Sequence, residues 1–252
     1  MLLTLVIPAR NEAGSLPRTV RDLHTALQAD GIPHEIVVVN DGSRDETAAV
    51  SRALALEIPV LRPIDNAPPH GFGLAVRAGI EAAQGDAVAV VMADGSDAPE
   101  DVVRFYRKLL EGYDCVFGTR FAPGARVTGY PVPKRILNRI VNSMIRLLFG
   151  LRYNDTTNAF KMYRAHVLAG LRPFLSHHFN LTVELPLKAM IRGYSYAVLP
   201  NAWRGRSHGE SKLKIKEMGS RYLFIILYCL IEKWLCAQDY HSERNGSNSG
   251  AR

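Results

Sequence analysis

The stretch VAVVMADGSDAPED, Val88–Asp101, decides how this chain is read. Val88–Met92 is an unbroken apolar run of the kind that a strand covered on both faces requires. The run stops in a crowd of acids, Asp94, Asp97, Glu100 and Asp101, which repel one another unless something cationic sits among them. Asp97 suits a helix N-cap, and Glu100, Asp101 and Pro99 suit a first helical turn. Asp94 is left over. An acid at the carboxyl end of a buried strand stands where open α/β sheets bind ligands, so Asp94 is the first candidate functional residue.

Before this stretch, strands and helices alternate at the spacing of βαβ units, which predicts an α/β fold with a mostly parallel sheet flanked by helices. Strands are expected at Leu2–Ile7, Ile36–Val39 and Ile58–Leu61, and helices at Leu16–Leu27, Asp45–Leu56 and Ala75–Ala83. The strand ends then deliver Pro8-Ala9-Arg10-Asn11-Glu12, Asn40-Asp41-Gly42-Ser43 and Asp94 to one sheet edge, where a nucleotide would bind. After it the pattern is less regular. Helices are expected at Val102–Leu110, Lys134–Phe149 and Leu181–Ile191, a strand at Cys115–Gly118, and a polar turn at Asp155–Lys161.

A hydrophobic share of 47% and a charged share of 22% are those of a globular protein, and 252 residues are most simply one domain. Cys115, Cys229 and Cys236 sit in apolar settings and are odd in number, which argues against a disulfide framework or a zinc site. The opening MLLTLVIPAR lacks the pattern of a signal peptide, so a cytoplasmic location is expected. The net charge of +7 gathers after about Arg120, beside the acidic strand end, which suggests a phosphate-handling face. No nucleic-acid-binding motif accompanies it, so no nucleic acid is expected as partner. The adjacent His177 and His178 do not face one ligand on a regular element and predict no metal pair. Tyr222–Leu235 is strongly apolar, but its uninterrupted part is too short to span a bilayer. It suits either a core helix or a helix lying on a membrane behind Lys212, Lys214, Lys216 and Arg221.

The ordered set IPARNE, VVVNDGS, GFGLAVRAGIEAAQGD, MADGSDAPED, GTRF, DTTNAFKMYR and RSHGESKLK resembles the inverting family 2 glycosyltransferases of GT-A fold. Within them it is most similar to the polyprenyl-phosphate sugar transferases, of which the dolichyl-phosphate mannosyltransferases are the best known. The resemblance implies a GT-A domain over 1–217, and its lipid acceptor makes the apolar helix over 218–241 a membrane-associated one, while the small polar tail over 242–252 is expected to be disordered from its composition. By the same resemblance Pro8, Ala9, Arg10 and Glu12 hold the base and ribose of the sugar nucleotide, and Asp41 hydrogen-bonds the base. Asp94 is the second acid of an Asp-x-Asp motif that binds Mg²⁺ or Mn²⁺ on the diphosphate, with help from Ser96 or Asp97. Met92 stands where the first acid is expected.

Arg120 matches an arginine at the acceptor phosphate, joined by Lys134 and Arg135; Asp155 lines the sugar pocket, and Ser211 and Lys212 end a segment near the diphosphate. Glu184, in an apolar helix, is expected to meet Arg, Lys or a sugar hydroxyl. The implied reaction is attack by a polyprenyl phosphate on the anomeric carbon of a sugar nucleotide, GDP-mannose first and UDP-glucose next, by a peripheral protein on the cytoplasmic membrane face. A family 2 enzyme with a saccharide acceptor and a non-catalytic nucleotide-sugar-binding or partner-binding subunit are the alternatives.

Overall fold

The computed structural model describes the backbone of residues 1–205 and 215–249, and the side chains of 1–205 and 219–236. The first half follows the βαβ rhythm: β1 (Leu3–Ala9), α1 (Leu16–Ala29), β2 (His34–Asn40), α2 (Thr47–Glu57), β3 (Leu61–Asp65), α3 (Phe72–Ala82) and β4 (Ala87–Val90). Then come α4 (Pro99–Leu110), β5 (Cys115–Thr119), β6 (Arg126–Thr128), α5 (Val132–Phe149), β7 (Lys161–Arg164) and α6 (Ala165–Gly170). The chain closes with α7 (Leu181–Ile191), β8 (Tyr196–Pro200), β9 (Ala202–Arg204) and α8 (Ile215–Ser249).

Seven strands form the main sheet in the order β3-β2-β1-β4-β7-β5-β8. Only β7 runs against its neighbours β4 and β5, while the β1–β2, β1–β4, β2–β3 and β5–β8 pairs are parallel. The fold is therefore the mostly parallel α/β sheet that the alternation predicts. Strands β1, β2 and β4 are apolar on both faces because helices cover both: Leu5, Ile36, Ala89 and Phe105 share one core, and Val6, Val37, Val76 and Val90 the other. The order turns at β1, and the carboxyl ends of β1, β2, β4 and β5 open on one edge.

Several boundaries differ from expectation for local reasons. Ile58–Val60 is not strand: Ile58 caps α2, donating to the Leu54 carbonyl, and β3 starts later. Its Pro63 is tolerated because β3 is an edge strand. Strands β6 and β9 have three residues each, too few to show a period. Helix α8 begins before residue 218 and runs past Ser242, where a disordered tail was expected. Once a helix is nucleated, each further residue adds a hydrogen bond for one pair of dihedrals fixed.

Helix α8 is half core and half surface. Ile225, Ile226 and Cys229 pack with Ile145 and Phe149 of α5 and Val183 and Leu187 of α7. The buried pair Arg192 Nε to Glu232 Oε1, 2.7 Å, fastens it to the end of α7. Phe224 and Trp234, on its other side, are exposed.

Helix α3 lies against β1 and β2 through Gly79, where an added Cβ would sit 2.3 Å from Val6 Cγ1. Val6 is itself packed, so it has nowhere to move. Gly79→Ala is expected to lower stability by about 1–3 kcal/mol in urea unfolding. An unchanged midpoint would contradict this packing.

Candidate active site

Two loops build the first part of the site. After β1 the chain turns at Asn11, whose φ is +54°, and after β2 it turns at Gly42. The turns are stitched together: Arg44 N donates to Asn11 Oδ1 (2.7 Å), Asn11 N to Ser43 Oγ (3.0 Å) and Glu12 N to Thr47 Oγ1 (2.8 Å). Pro8 and Ala9, expected at the base and ribose, are buried inside β1, and Ala9 lends its carbonyl to the Asp41 amide. Glu12 accepts from Ser15 Oγ at the start of α1.

Asp41 is buried and richly partnered. Its Oδ1 accepts from Asn66 Nδ2 (2.8 Å) and Gly71 N (3.1 Å), His70 Nδ1 lies 3.4 Å from the same oxygen, and Arg10 Nη1 lies 3.8 Å from Oδ2. Gly42 has to be glycine here, since a Cβ would meet the His70 ring at 2.5 Å and φ is +64°. Asn66 and His70 were not read from the sequence; the Pro- and Gly-rich loop that carries them shows no chemistry until it folds over β2.

The acidic strand end is held from three sides. Thr19 Oγ1 donates to the Ala93 carbonyl, Arg204 N donates to the Ser96 carbonyl, and Asp97 bridges to Trp203. Asp94 Oδ1 accepts from Ser96 N at 3.1 Å in a local turn, and the residue is partly exposed. Asp97 is not the N-cap expected of it, because Ala98 holds that position. Its Oδ2 instead accepts from Met92 N at 3.0 Å inside the protein. Burial pushes its pKa up to about 7, the Met92 N–H opposing and the charge of Asp94 adding. Asp101, expected only to favour the helix start, also accepts from Ala202 N (2.6 Å) and so ties β9 over this loop.

A divalent cation fits this donor set in one way. Ser96 and Asp97 are buried, and Asp97 Oδ2 is engaged by Met92 N inside the loop, which leaves Asp94 the more accessible of the three. Among the described residues no group of three metal-binding side chains gathers. Asp94 offers one hard oxygen ligand, which suits an ion that draws the rest of its shell from water and phosphate oxygens.

The end of β5 carries the strongest contact. Arg120 Nε and Nη2 fork onto Asp155 at 2.9 and 2.7 Å, and the Arg120 amide donates to the same carboxylate at 2.8 Å. The side chains are only 9% and 0% exposed, so Arg120 is not the open phosphate fork expected of it. Burial alone would lower the guanidinium pKa, but the facing Asp155 more than offsets this and raises it. Both expected residues are therefore brought together, each as the other's partner.

Lys161, at the start of β7, is buried behind them and donates to the carbonyls of Thr156, Asn158 and Thr182. Its pKa is pushed down to about 7 by burial, with Asp155 opposing and Arg120 adding. Lys134 and Arg135 are exposed at the start of α5. Ser211 and Lys212 lie outside the described residues. Glu184 meets a lysine, Lys188 Nζ at 2.7 Å, and accepts from the amides of Leu175 and Ser176.

Comparison with known proteins follows the same lines. The sequence profile of a family described as "Glycosyl transferase family 2" matches residues 4–172. The polyprenol monophosphomannose synthase of Mycolicibacterium smegmatis is 32% identical over 215 residues, covering 83% of this chain and 80% of its own. The undecaprenyl-phosphate mannosyltransferase of Micrococcus luteus is 28% identical over 239 residues, covering 93% and 96%. Among solved structures, glucosyl-3-phosphoglycerate synthase from Mycobacterium tuberculosis, in complex with Mn²⁺, UDP and phosphoglyceric acid, superimposes with a TM-score of 0.69. It is 19% identical and covers 91% of this chain and 78% of that one, a likeness of fold alone.

Removing one member of the Arg120–Asp155 pair strands a buried charge. Asp155→Leu is expected to cost about 3–5 kcal/mol in denaturant unfolding, and the double variant Arg120→Met, Asp155→Leu less than the sum of that single and Arg120→Met. A double variant that loses the sum of the two singles would contradict the pairing.

Proposed function

Because the chain belongs to glycosyl transferase family 2 and is a glycosyltransferase, we propose that it transfers a hexose from a sugar nucleotide to a polyprenyl phosphate with inversion. Mannose from GDP-mannose is the first donor to test, and UDP-glucose the second. Relatives named for polyprenol and undecaprenyl phosphate support the acceptor class. The observation that carries the lipid half is the outward face of α5 and α8. Ile136, Ile140 and Leu147 of α5 and Phe224, Ile231 and Trp234 of α8 are all more than half exposed, on two helices that pack together. Large apolar side chains left exposed on two helices that pack together suit a docking surface. Exposed Lys134, Arg135, Arg139 and Arg146 accompany it, as suits a surface lying on anionic lipid. Among the described residues no helix is long and apolar enough to cross a membrane. We therefore read the protein as peripheral, on the cytoplasmic leaflet.

The residues divide the work. Asp41, with Arg10 beside it, presents donors and an acceptor for the base edge. Asp94 would hold Mg²⁺ or Mn²⁺, whose charge favours departure of the diphosphate. Lys134 and Arg135, exposed at the start of α5, meet the acceptor phosphate. The buried Arg120–Asp155 pair sets the floor between donor and acceptor. An acceptor phosphate is anionic near neutral pH and needs positioning rather than deprotonation. A saccharide acceptor would need an open carboxylate as base. Both oxygens of Asp155 are already taken by Arg120, which weighs against that alternative.

Asp94→Ala is expected to reduce transfer by at least about a hundredfold with the circular dichroism spectrum unchanged. Near-wild-type turnover would sink the assignment of Asp94. On the lipid side, the protein is expected to float with anionic vesicles at low salt, and Ile140→Glu with Phe224→Glu to abolish flotation. Equal flotation of that variant would show that the face does not dock.

A further inference from the structure

We propose that Asn138 and Asn142 of α5 are positioning residues, a two-rung polar ladder that registers the lipid-facing helix against the Arg120–Asp155 pair. The proposal rests on the reading that α5 meets a lipid acceptor. Asparagine is a poor choice for a helix interior, and two of them four residues apart on the inward face require a reason. Asn142 is 1% exposed, and every polar atom of its side chain is used. Its Nδ2 donates to Thr157 Oγ1 at 2.9 Å and to the Asn138 carbonyl at 2.9 Å, and its Oδ1 accepts from Thr157 N at 3.3 Å. Asn138 forms the second rung: its Oδ1 accepts from Thr157 Oγ1 at 3.0 Å, and its Nδ2 donates to Tyr130 Oη at 2.8 Å.

Both ends of the ladder reach the guanidinium. Arg120 Nη2 lies 3.4 Å from Thr157 Oγ1, and Arg120 stacks over the Tyr130 ring with its centroid 5.5 Å away. Thr157 stands two residues after Asp155 in the same turn. The opposite side of α5 carries exposed Ile136, Ile140 and Leu147. One helix thus has an apolar face turned outward and, at right of way through four side chains, a polar face bound to the floor of the site. A tilt imposed on α5 by what covers the outer face would reach Arg120 through the hydrogen bonds of Asn142, Asn138 and Thr157 and through the Tyr130 ring.

The test uses Asn142→Leu, Thr157→Val and their double variant, with the half-buried Asn138→Ala as a milder substitution should Asn142→Leu fail to fold. Hydrogen exchange of the Arg120 amide, which donates to Asp155, is the first readout and needs no substrate. Each single variant is expected to exchange there about tenfold faster, as loss of one buried hydrogen bond implies, with β1 and β2 unchanged. The double variant is expected to be no faster than either single. In assays, the KM for polyprenyl phosphate is expected to rise about tenfold while that for the sugar nucleotide stays within about twofold. Unchanged exchange at Arg120, multiplying effects in the double variant, or equal shifts in both KM values would overturn the ladder. A wild type that leaves polyprenyl phosphate untouched overturns the functional reading instead, and the exchange measurement still decides this one.

Discussion

A guanidinium and a carboxylate, both removed from water, can stay in a protein interior only by meeting each other, and Arg120 and Asp155 do so with three hydrogen bonds. That requirement fixes the end of β5 to the turn before β7, two places far apart in sequence. Lys161 then fills the space behind the turn and gathers three carbonyls that would otherwise be stranded. Helix α5 is drawn in through Asn138 and Asn142, and its apolar side is left facing outward. The strand-end edge of the sheet and helix α5 are thereby referred to one buried point.

Much of the sheet could be read because its strands are covered on both faces and so must be apolar throughout. Leu2–Ile7 and Ile36–Val39 stand out for that reason, although β1 itself runs on to Ala9, and the edge at which Arg10, Asp41 and Asp94 gather follows from the parallel order. What was not legible depended on contacts across long separations. Nothing local in Asp101 says that its partner is Ala202, nor in Arg120 that its fork already holds Asp155. A carboxylate beside a proline reads as helix-start chemistry until the second strand arrives. The spacing of Asn138 and Asn142 was visible, but an i, i+4 pair of asparagines has meaning only when Thr157 stands against it.

The acidic strand end is simpler in structure than in sequence. Of four neighbouring acids, Asp97 and Asp101 are turned inward to hold the loop and β9, and Glu100 is exposed on the first turn of α4. Asp94 keeps a partly exposed place at the strand end. With Met92 standing where a second acid is expected, the proposed cation would have one carboxylate and would take the rest of its ligands from water and substrate.

The most direct test is transfer itself. Purified protein, a divalent cation, anionic vesicles carrying a polyprenyl phosphate, and labelled GDP-mannose or UDP-glucose are incubated, and the label is partitioned between organic and aqueous phases. The account predicts label in the organic phase as a glycosyl phosphate lipid, formed only when polyprenyl phosphate is present. Label that stays aqueous with either donor, while calorimetry still records sugar-nucleotide binding, would contradict it.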